Sequence, residues 1–177
     1  MTLDDSDGVT DQVRSLNEPN RVLFPEIPAF RASDSSGSVE IAYQWTTGTE
    51  ERIQSFVNGT AAITGGVHEE GFKKALTEVI NRYASAPMEN QLLGSDVREG
   101  LTAVISARIE QPHFGPRGQL TGEEIRRAVM RATSEEVGGW LDGHNDEATL
   151  IVRNALGAKS VRIEARKGFD QRQRRNP

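Results

Sequence analysis

The 177-residue sequence predicts a mixed α/β domain: one helix, three to four strands around a long helix, then two more helices. Two periodicities carry that reading. Val39, Ile41, Tyr43 and Trp45 alternate with Glu40, Ala42, Gln44 and Thr46, the spacing of a half-buried strand. Phe72, Leu76, Val79, Ile80 and Tyr83 fall at i, i+4, i+7, i+8 and i+11, the stripe of an amphipathic helix.

In chain order, residues 1–7 are polar and expected to fray, and Val9, Val13 and Leu16 share one face of a short helix over 8–17. Residues 17–28 hold three prolines and read as a connection with an extended piece at 22–24. Asp34 to Ser38 form a turn. The strand over 39–46 turns at Thr47-Gly48-Thr49, and Arg52 to Asn58 returns beside it as a hairpin. Gly59 to Val67 is a loop of small residues. The long helix covers 68–84 and Pro87 closes it. At 93–100 the sequence predicts a helical turn capped by Ser95, with Asp96 in its first turn and Gly100 ending it. Leu101, Ala103, Ile105, Ala107 and Ile109 then alternate as a strand with one buried face. Glu110 to Leu120 is a loop with two prolines and two glycines. Thr121-Gly-Glu-Glu124 has the capping-box pattern and starts a helix, which Gly138 and Gly139 weaken at its last turn. A turn over 142–146 leads to a final helix from Glu147 into the 170s.

Composition narrows the function. Charged residues make up 27% and hydrophobic residues 36% of the chain, and the net charge is −5. That balance argues against a protein that coats nucleic acid. The charge is uneven, however: between Arg153 and Arg175 eight basic residues face only Glu164 and Asp170, a net +6. There is no cysteine, so disulfides and thiolate metal sites are excluded. No apolar run approaches the roughly 20 residues that span a bilayer, and the acidic start is unlike a signal peptide. A cytoplasmic location without membrane contact is expected.

Two segments have a specific wording. Ser55-Phe-Val-Asn58 leads into Gly65-Gly-Val-His-Glu-Glu-Gly-Phe72, and Asp96-Val-Arg-Glu-Gly-Leu101 opens the strand that continues as Thr102-Ala-Val-Ile-Ser106. They resemble the transducer domain of the B subunits of bacterial type II DNA topoisomerases, gyrase and topoisomerase IV. There a strand ending S-F-V-N precedes a G-G-x-H-x-x-G-F helix and a D-V-R-E-G-L-x-A-V-I-S strand. Residues 155–167 are similar to the family's linker-helix wording. The resemblance covers residues 8 to 175 or so. It implies a ribosomal protein S5 domain 2-like fold: a sheet of about four strands with helices on one face, and a long C-terminal helix. It divides the chain into a transducer-like domain over 1–145 and a basic linker helix over 146–177.

The resemblance implies a non-catalytic part of an ATP-dependent DNA topoisomerase, coupling closure of an ATPase domain to movement of the DNA gate. Its partners are ATPase and toprim domains, the A subunit indirectly, and double-stranded DNA. ATP and Mg2+ belong to the complete enzyme, and this chain is expected to hold neither. The upstream glutamate base and magnesium-site motifs are absent from the sequence, as are the E-G-D-S and D-x-D strings of a toprim domain. The isolated chain is therefore expected to be catalytically inactive, with no catalytic residue and no metal site. The alternative is a stand-alone relative that acts as a protein- or DNA-interaction module without ATP coupling. A small-molecule kinase on this fold is disfavoured by the missing phosphate loop.

The family's nucleotide-sensing loop holds Q-T-K followed by K-L-G-N, and its first lysine meets the γ-phosphate. Here the loop Phe114 to Gly122 has no lysine; none occurs between Lys74 and Lys159. Counting back from Leu120 puts Arg117 nearest the first lysine and Gln119 near the second. Arginine can meet a phosphate bidentately; the plain reading is a solvated loop tip. The chain also departs from the family at Val67, where threonine is usual, and at Asn58-Gly59-Thr60, where a second asparagine and I-N-T are usual. On the tail, Arg162, Arg166, Lys167, Arg172, Arg174 and Arg175 are candidates for sequence-independent contact with DNA phosphates. The plain reading there is a solvated helix end. His68 starts the long helix and reads as structural rather than as a general base, since no partner carboxylate or nucleophile is fixed to work with it. His113 and His144 lack metal-ligand spacing. Asp142, Asn145 and Asp146 lack the length and terminal glutamate of a calcium loop.

Overall fold

The computed structural model describes residues 8–85, 87 and 90–175, with side chains through Phe169. Residues 1–7, expected to fray, lie outside the described residues. Twelve elements follow in order: α1 Gly8–Asn17, β1 Ala29–Asp34, β2 Gly37–Trp45, β3 Arg52–Val57, β4 Thr60–Ala61, α2 Val67–Ala84, α3 Gly94–Val97, β5 Leu101–Arg108, β6 His113–Phe114, β7 Leu120–Thr121, α4 Glu123–Gly143 and α5 Asn145–Arg175. The first helix and the long helix fall where periodicity puts them. Val22 also bridges Thr46, within the extended piece expected at 22–24.

Five strands form one mixed sheet in the order β1-β2-β5-β3-β4. The expected hairpin of β2 with β3 does not form. β5 lies between them, antiparallel to β2 with Ile41 opposite Ile105, and parallel to β3 with Ser55 opposite Ile105. The reason is burial. Leu101 to Ala107 are all buried, so β5 has two covered faces, not the one its alternation suggests. A strand buried on both sides belongs in the middle of a sheet. The turn after β2 therefore carries the chain past β5, and the β3–α2–β5 connection is a parallel crossover. β1, most of which the sequence reading assigns to no element, pairs antiparallel with β2 at the edge.

The fold is mixed α/β, with the long helices grouped over one face of the sheet. There Ile41, Tyr43, Trp45, Leu101, Ala103 and Ile105 pack with Phe72, Leu76, Val79 and Ile80 of α2, Val129, Val137 and Leu141 of α4, and Ile151 and Ala155 of α5. Gly71 lets α2 and α4 cross closely: a Cβ there would lie 2.8 Å from the Arg126 carbonyl oxygen. On the other face α1 sets Val9 and Val13 against Ala42, Phe56 and Val104. Under α1, Thr102 donates to Asn17 Oδ1 (2.7 Å) and Asn17 Nδ2 donates to Gln44 Oε1 (3.0 Å). The Gln44 amide in turn holds the carbonyls of Phe24 and Glu26 (2.9 and 3.1 Å). Every polar group of that small buried network has a partner, which is what makes its burial tolerable.

Three local expectations are corrected. Ser95 does not cap α3: Leu93 is the N-cap residue, and Asp96 Oδ2 accepts its N–H at 2.8 Å. Thr121 does not cap α4 either. Its hydroxyl donates to the His113 carbonyl (3.0 Å) across the β6–β7 pair, and Gly122 stands at the N-cap. α4 continues through Gly138 and Gly139, expected to weaken its last turn, as far as Gly143. The turn expected over 142–146 contracts to His144 alone, and α5 begins at Asn145. Packing explains this: Val137 and Leu141 are fully buried around the glycine pair, and burial outweighs their poor helix propensity. No helix among the described residues is long and apolar enough to cross a membrane.

Candidate functional site

Two groups of sequence-selected residues end up at opposite ends of the central elements. At one end, β6 and β7 pair and carry the loop of Arg117 and Gln119 as a short hairpin. Gly115 N–H donates to the Gln119 carbonyl (2.8 Å), and Gln119 Oε1 accepts the Arg117 backbone N–H (3.0 Å). Gln119 thus braces its own loop, lying where a Cβ on Gly115 would have to go. Arg117 is exposed at the tip, and its guanidinium has no partner among the described residues.

This hairpin docks on the start of α2. Leu120 N–H donates to the Gly65 carbonyl (3.3 Å), and Leu120 is fully buried beside Gly66. Gly66 has φ 150, and a Cβ there would sit 2.6 Å from the Leu120 nitrogen. The glycine loop over 59–66 therefore holds the Arg117 hairpin and is not an open phosphate cradle. Replacing Gly66 by alanine should cost about 2–3 kcal/mol of unfolding free energy, through strain and overpacking. Gly65→Ala, whose Cβ would meet only the Glu69 side chain, should cost less, about 1–2 kcal/mol. Urea unfolding of the two variants checks the ranking.

His68 follows two residues after Gly66 and is wholly buried. Neither ring nitrogen has a hydrogen-bond partner, and burial pushes its pKa down from 6.5 to about 4. An imidazole without partners or exposure has nothing to exchange protons with, so its role is in packing.

The other end is the docking of α5. Arg162 forms a bidentate ion pair with Asp96, Nε to Oδ1 at 2.7 Å and Nη2 to Oδ2 at 2.8 Å. Burial alone would push the Asp96 carboxyl up. The Arg162 hydrogen bond, the Leu93 N–H and the charges of Arg162 and Lys159 outweigh it and hold the carboxyl below 3.8. Of the tail residues selected from sequence, Arg162 is thus engaged within the chain. Arg166 is exposed, and Lys167 is exposed beside Glu164 (3.0 Å). Arg172, Arg174 and Arg175 continue α5, with side chains outside the described residues. The Asp96–Arg162 pair was beyond sequence reasoning: 66 residues separate its members, and Asp96 reads locally as a helix-turn residue. Among the described residues no three His, Asp or Glu side chains group as metal ligands.

A mixed sheet with an inserted strand, a docked glycine-rich loop and a long exit helix is an α/β architecture that this chain shares with solved gyrase B structures. The family model for DNA gyrase B matches residues 8–171. The DNA gyrase B protein of Micrococcus luteus is 37% identical over 96% of this chain and 25% of its own length. That of Streptomyces coelicolor is 36% identical over 95% of this chain and 26% of its length. Among solved structures, the 43K ATPase domain of Thermus thermophilus gyrase B, in complex with an aminocoumarin, superposes with a TM-score of 0.86. Its identity is 28%, over 94% of this chain and 47% of that one. The topoisomerase IV ATP-binding domain of Francisella tularensis shares the fold, with a TM-score of 0.71 at 23% identity. The chain belongs to the DNA gyrase B family. It spans about a quarter of the length of the curated relatives it matches.

Proposed function

We propose that the chain is the transducer portion of the B component of a type II DNA topoisomerase, coupling closure of an ATPase domain to movement of the DNA gate. One observation carries the reading: the Arg117 hairpin and the α5 dock lie at opposite ends of β5 and α2. β5 has eight residues and α2 eighteen, so each spans about 26 Å at the usual rise per residue. Both are buried in one core, which makes them a stiff strut between the two ends. A push at the hairpin reaches α5 through packed elements, as mechanical coupling needs.

In this reading residues 1–145 are the transducer-like domain and 146–177 the linker helix. Arg117 reaches out to the nucleotide's terminal phosphate in the adjoining ATPase domain. A guanidinium is suited to that contact because its fork meets two phosphate oxygens at once. ATP and Mg2+ are held by that domain, which also supplies the hydrolytic chemistry. Arg166, Lys167, Arg172, Arg174 and Arg175 meet double-stranded DNA through its phosphates, with Arg162 fixing the helix that carries them.

The test replaces the matching segment of Micrococcus luteus gyrase B with this chain and measures ATP-dependent supercoiling and ATP hydrolysis. The chimaera is expected to be active, and Arg117→Ala to lower its ATPase rate by roughly 10- to 100-fold, the worth of one charge-assisted contact. An active chimaera indifferent to Arg117→Ala would overturn the role of that residue. A folded but inactive chimaera would overturn the transducer reading. The isolated chain should hydrolyse no ATP, and its salt-sensitive DNA binding should vanish when residues 164–177 are removed.

A further inference from the structure

We infer that residues 92–99 are a coupling element, and that the Asp96–Arg162 ion pair is the latch fixing the direction in which α5 leaves the domain. The latch stands on contacts within the chain, whether or not the domain acts as a transducer.

Asp96 is held before α5 arrives. Independently of α5, its carboxylate accepts the Leu93 N–H at 2.8 Å. The turn around it is pinned to two further elements. The Asn81 side chain of α2 takes both backbone groups of Leu92, donating to its carbonyl (3.0 Å) and accepting its N–H (2.8 Å). Trp45 Nε1 of β2 donates to the Val97 carbonyl (2.9 Å). The carboxylate is therefore fixed to both the sheet and α2.

α5 meets this fixed point late. Its buried face is Ala148, Ile151, Ala155 and Ala158, mostly alanines that offer little apolar grip. Arg162 is the next position on that face, one turn on. Asn154 Nδ2 donates to the Glu99 carbonyl (3.0 Å), and Lys159 Nζ donates to the Asn90 carbonyl. Three polar contacts of α5 thus land on residues 90–99. Beyond Arg162, Ile163, Glu164, Ala165, Arg166 and Lys167 are exposed, so Arg162 is the last firmly held point before about 20 Å of helix. A small change of tilt there is amplified along that length. The bidentate fork fixes both position and angle, where a lysine's point charge would fix only position. Asp96 and Arg162 are positioning residues for the exit helix.

The chain has no cysteine, so two introduced ones report without interference. Spin labels at Ser33→Cys on β1 and Lys167→Cys on α5 give the distance distribution by pulsed electron paramagnetic resonance. The parent is expected to show one narrow distribution. Arg162→Ala and Asp96→Asn should each broaden it by about twofold or shift it, and Arg162→Lys should give an intermediate width. Glu164→Gln, on the same helix but outside the latch, should change nothing. Arg162 is one-third exposed, so its alanine variant keeps the core intact and carries the test if Asp96→Asn fails to fold. A distribution for Arg162→Ala that superimposes on the parent's would overturn the latch. So would an equal broadening in Glu164→Gln, since the helix would then be loose for other reasons.

Discussion

Replacing Trp45 with alanine is expected to lower the unfolding free energy by about 4 kcal/mol, near the upper end for a single core truncation. Trp45 is fully buried and is the largest side chain in the core. Its ring stands edge-on to Tyr43, with centroids 5.8 Å apart, in the cluster that joins β2 to α2, α4 and α5. Its indole N–H also closes α3 through the Val97 carbonyl. Alanine would leave a cavity and an unpaired carbonyl together. Trp45→Phe separates the two effects: it keeps most of the packing and loses the hydrogen bond, and should cost about 1–2 kcal/mol. Urea titration followed by far-ultraviolet circular dichroism measures both. A loss below about 1 kcal/mol for the alanine variant would mean that the core relaxes around the gap and that α3 is held by other contacts.

The latch makes the same variant informative beyond stability. Trp45 pins the turn that carries Asp96, so Trp45→Phe should loosen that turn without touching either member of the ion pair. The effect on α5 would then run from the sheet through Val97 and Asp96 to Arg162. Such a chain of contacts is physical coupling only if its members move together, which the distance distributions measure directly.

What was legible in the sequence is what local spacing encodes. α1, β2, α2 and β5 follow from residues two to four positions apart, such as Ile41 with Tyr43 in a strand, or Phe72 with Leu76 in a helix. The order of strands was not legible, because β5 inserts between β2 and β3 on grounds of burial from both sides. The polar residues of β5, Thr102 and Ser106, hide that second buried face: Thr102 spends its hydroxyl on Asn17, 85 residues away. The capping errors have the same root. Ser95 and Thr121 carry the right side chains, but α3 starts before Ser95, with Asp96 bonding back to the Leu93 N–H, and the Thr121 hydroxyl is taken by the His113 carbonyl. The site divides likewise. Arg117 and the basic tail stand out by charge and wording, while the Asp96–Arg162 pair and the docking of Leu120 on Gly66 exist only in three dimensions.

His68 gives the largest expected dependence on pH. Its pKa falls from 6.5 to about 4 on folding because the ring is buried. The unfolded chain therefore binds the proton first, and stability must fall as pH falls. The contribution is fully present above pH 6.5, declines below it, and is lost near pH 4, a total of about 3 kcal/mol. Asp34 and Asp96 also titrate low, but their contributions are lost only on falling below their ordinary value of 3.8. The window between pH 6.5 and about 4.5 thus belongs mainly to His68. Unfolding free energies measured across that window should slope steeply for the parent and much less for His68→Gln, whatever the variant's absolute stability. Equal slopes would mean that the ring finds water or a partner and stays protonatable in the fold. The location gives the effect its structural meaning. A charge at the second residue of α2 would face the positive end of the helix dipole without a counter-ion within hydrogen-bonding reach. It would also sit two residues from Gly66, where the Arg117 hairpin docks. Acid should therefore loosen the start of the strut before the core around Trp45. Amide exchange at Leu120, whose N–H is held by the Gly65 carbonyl, should accelerate at a higher pH than unfolding itself once corrected for intrinsic rates.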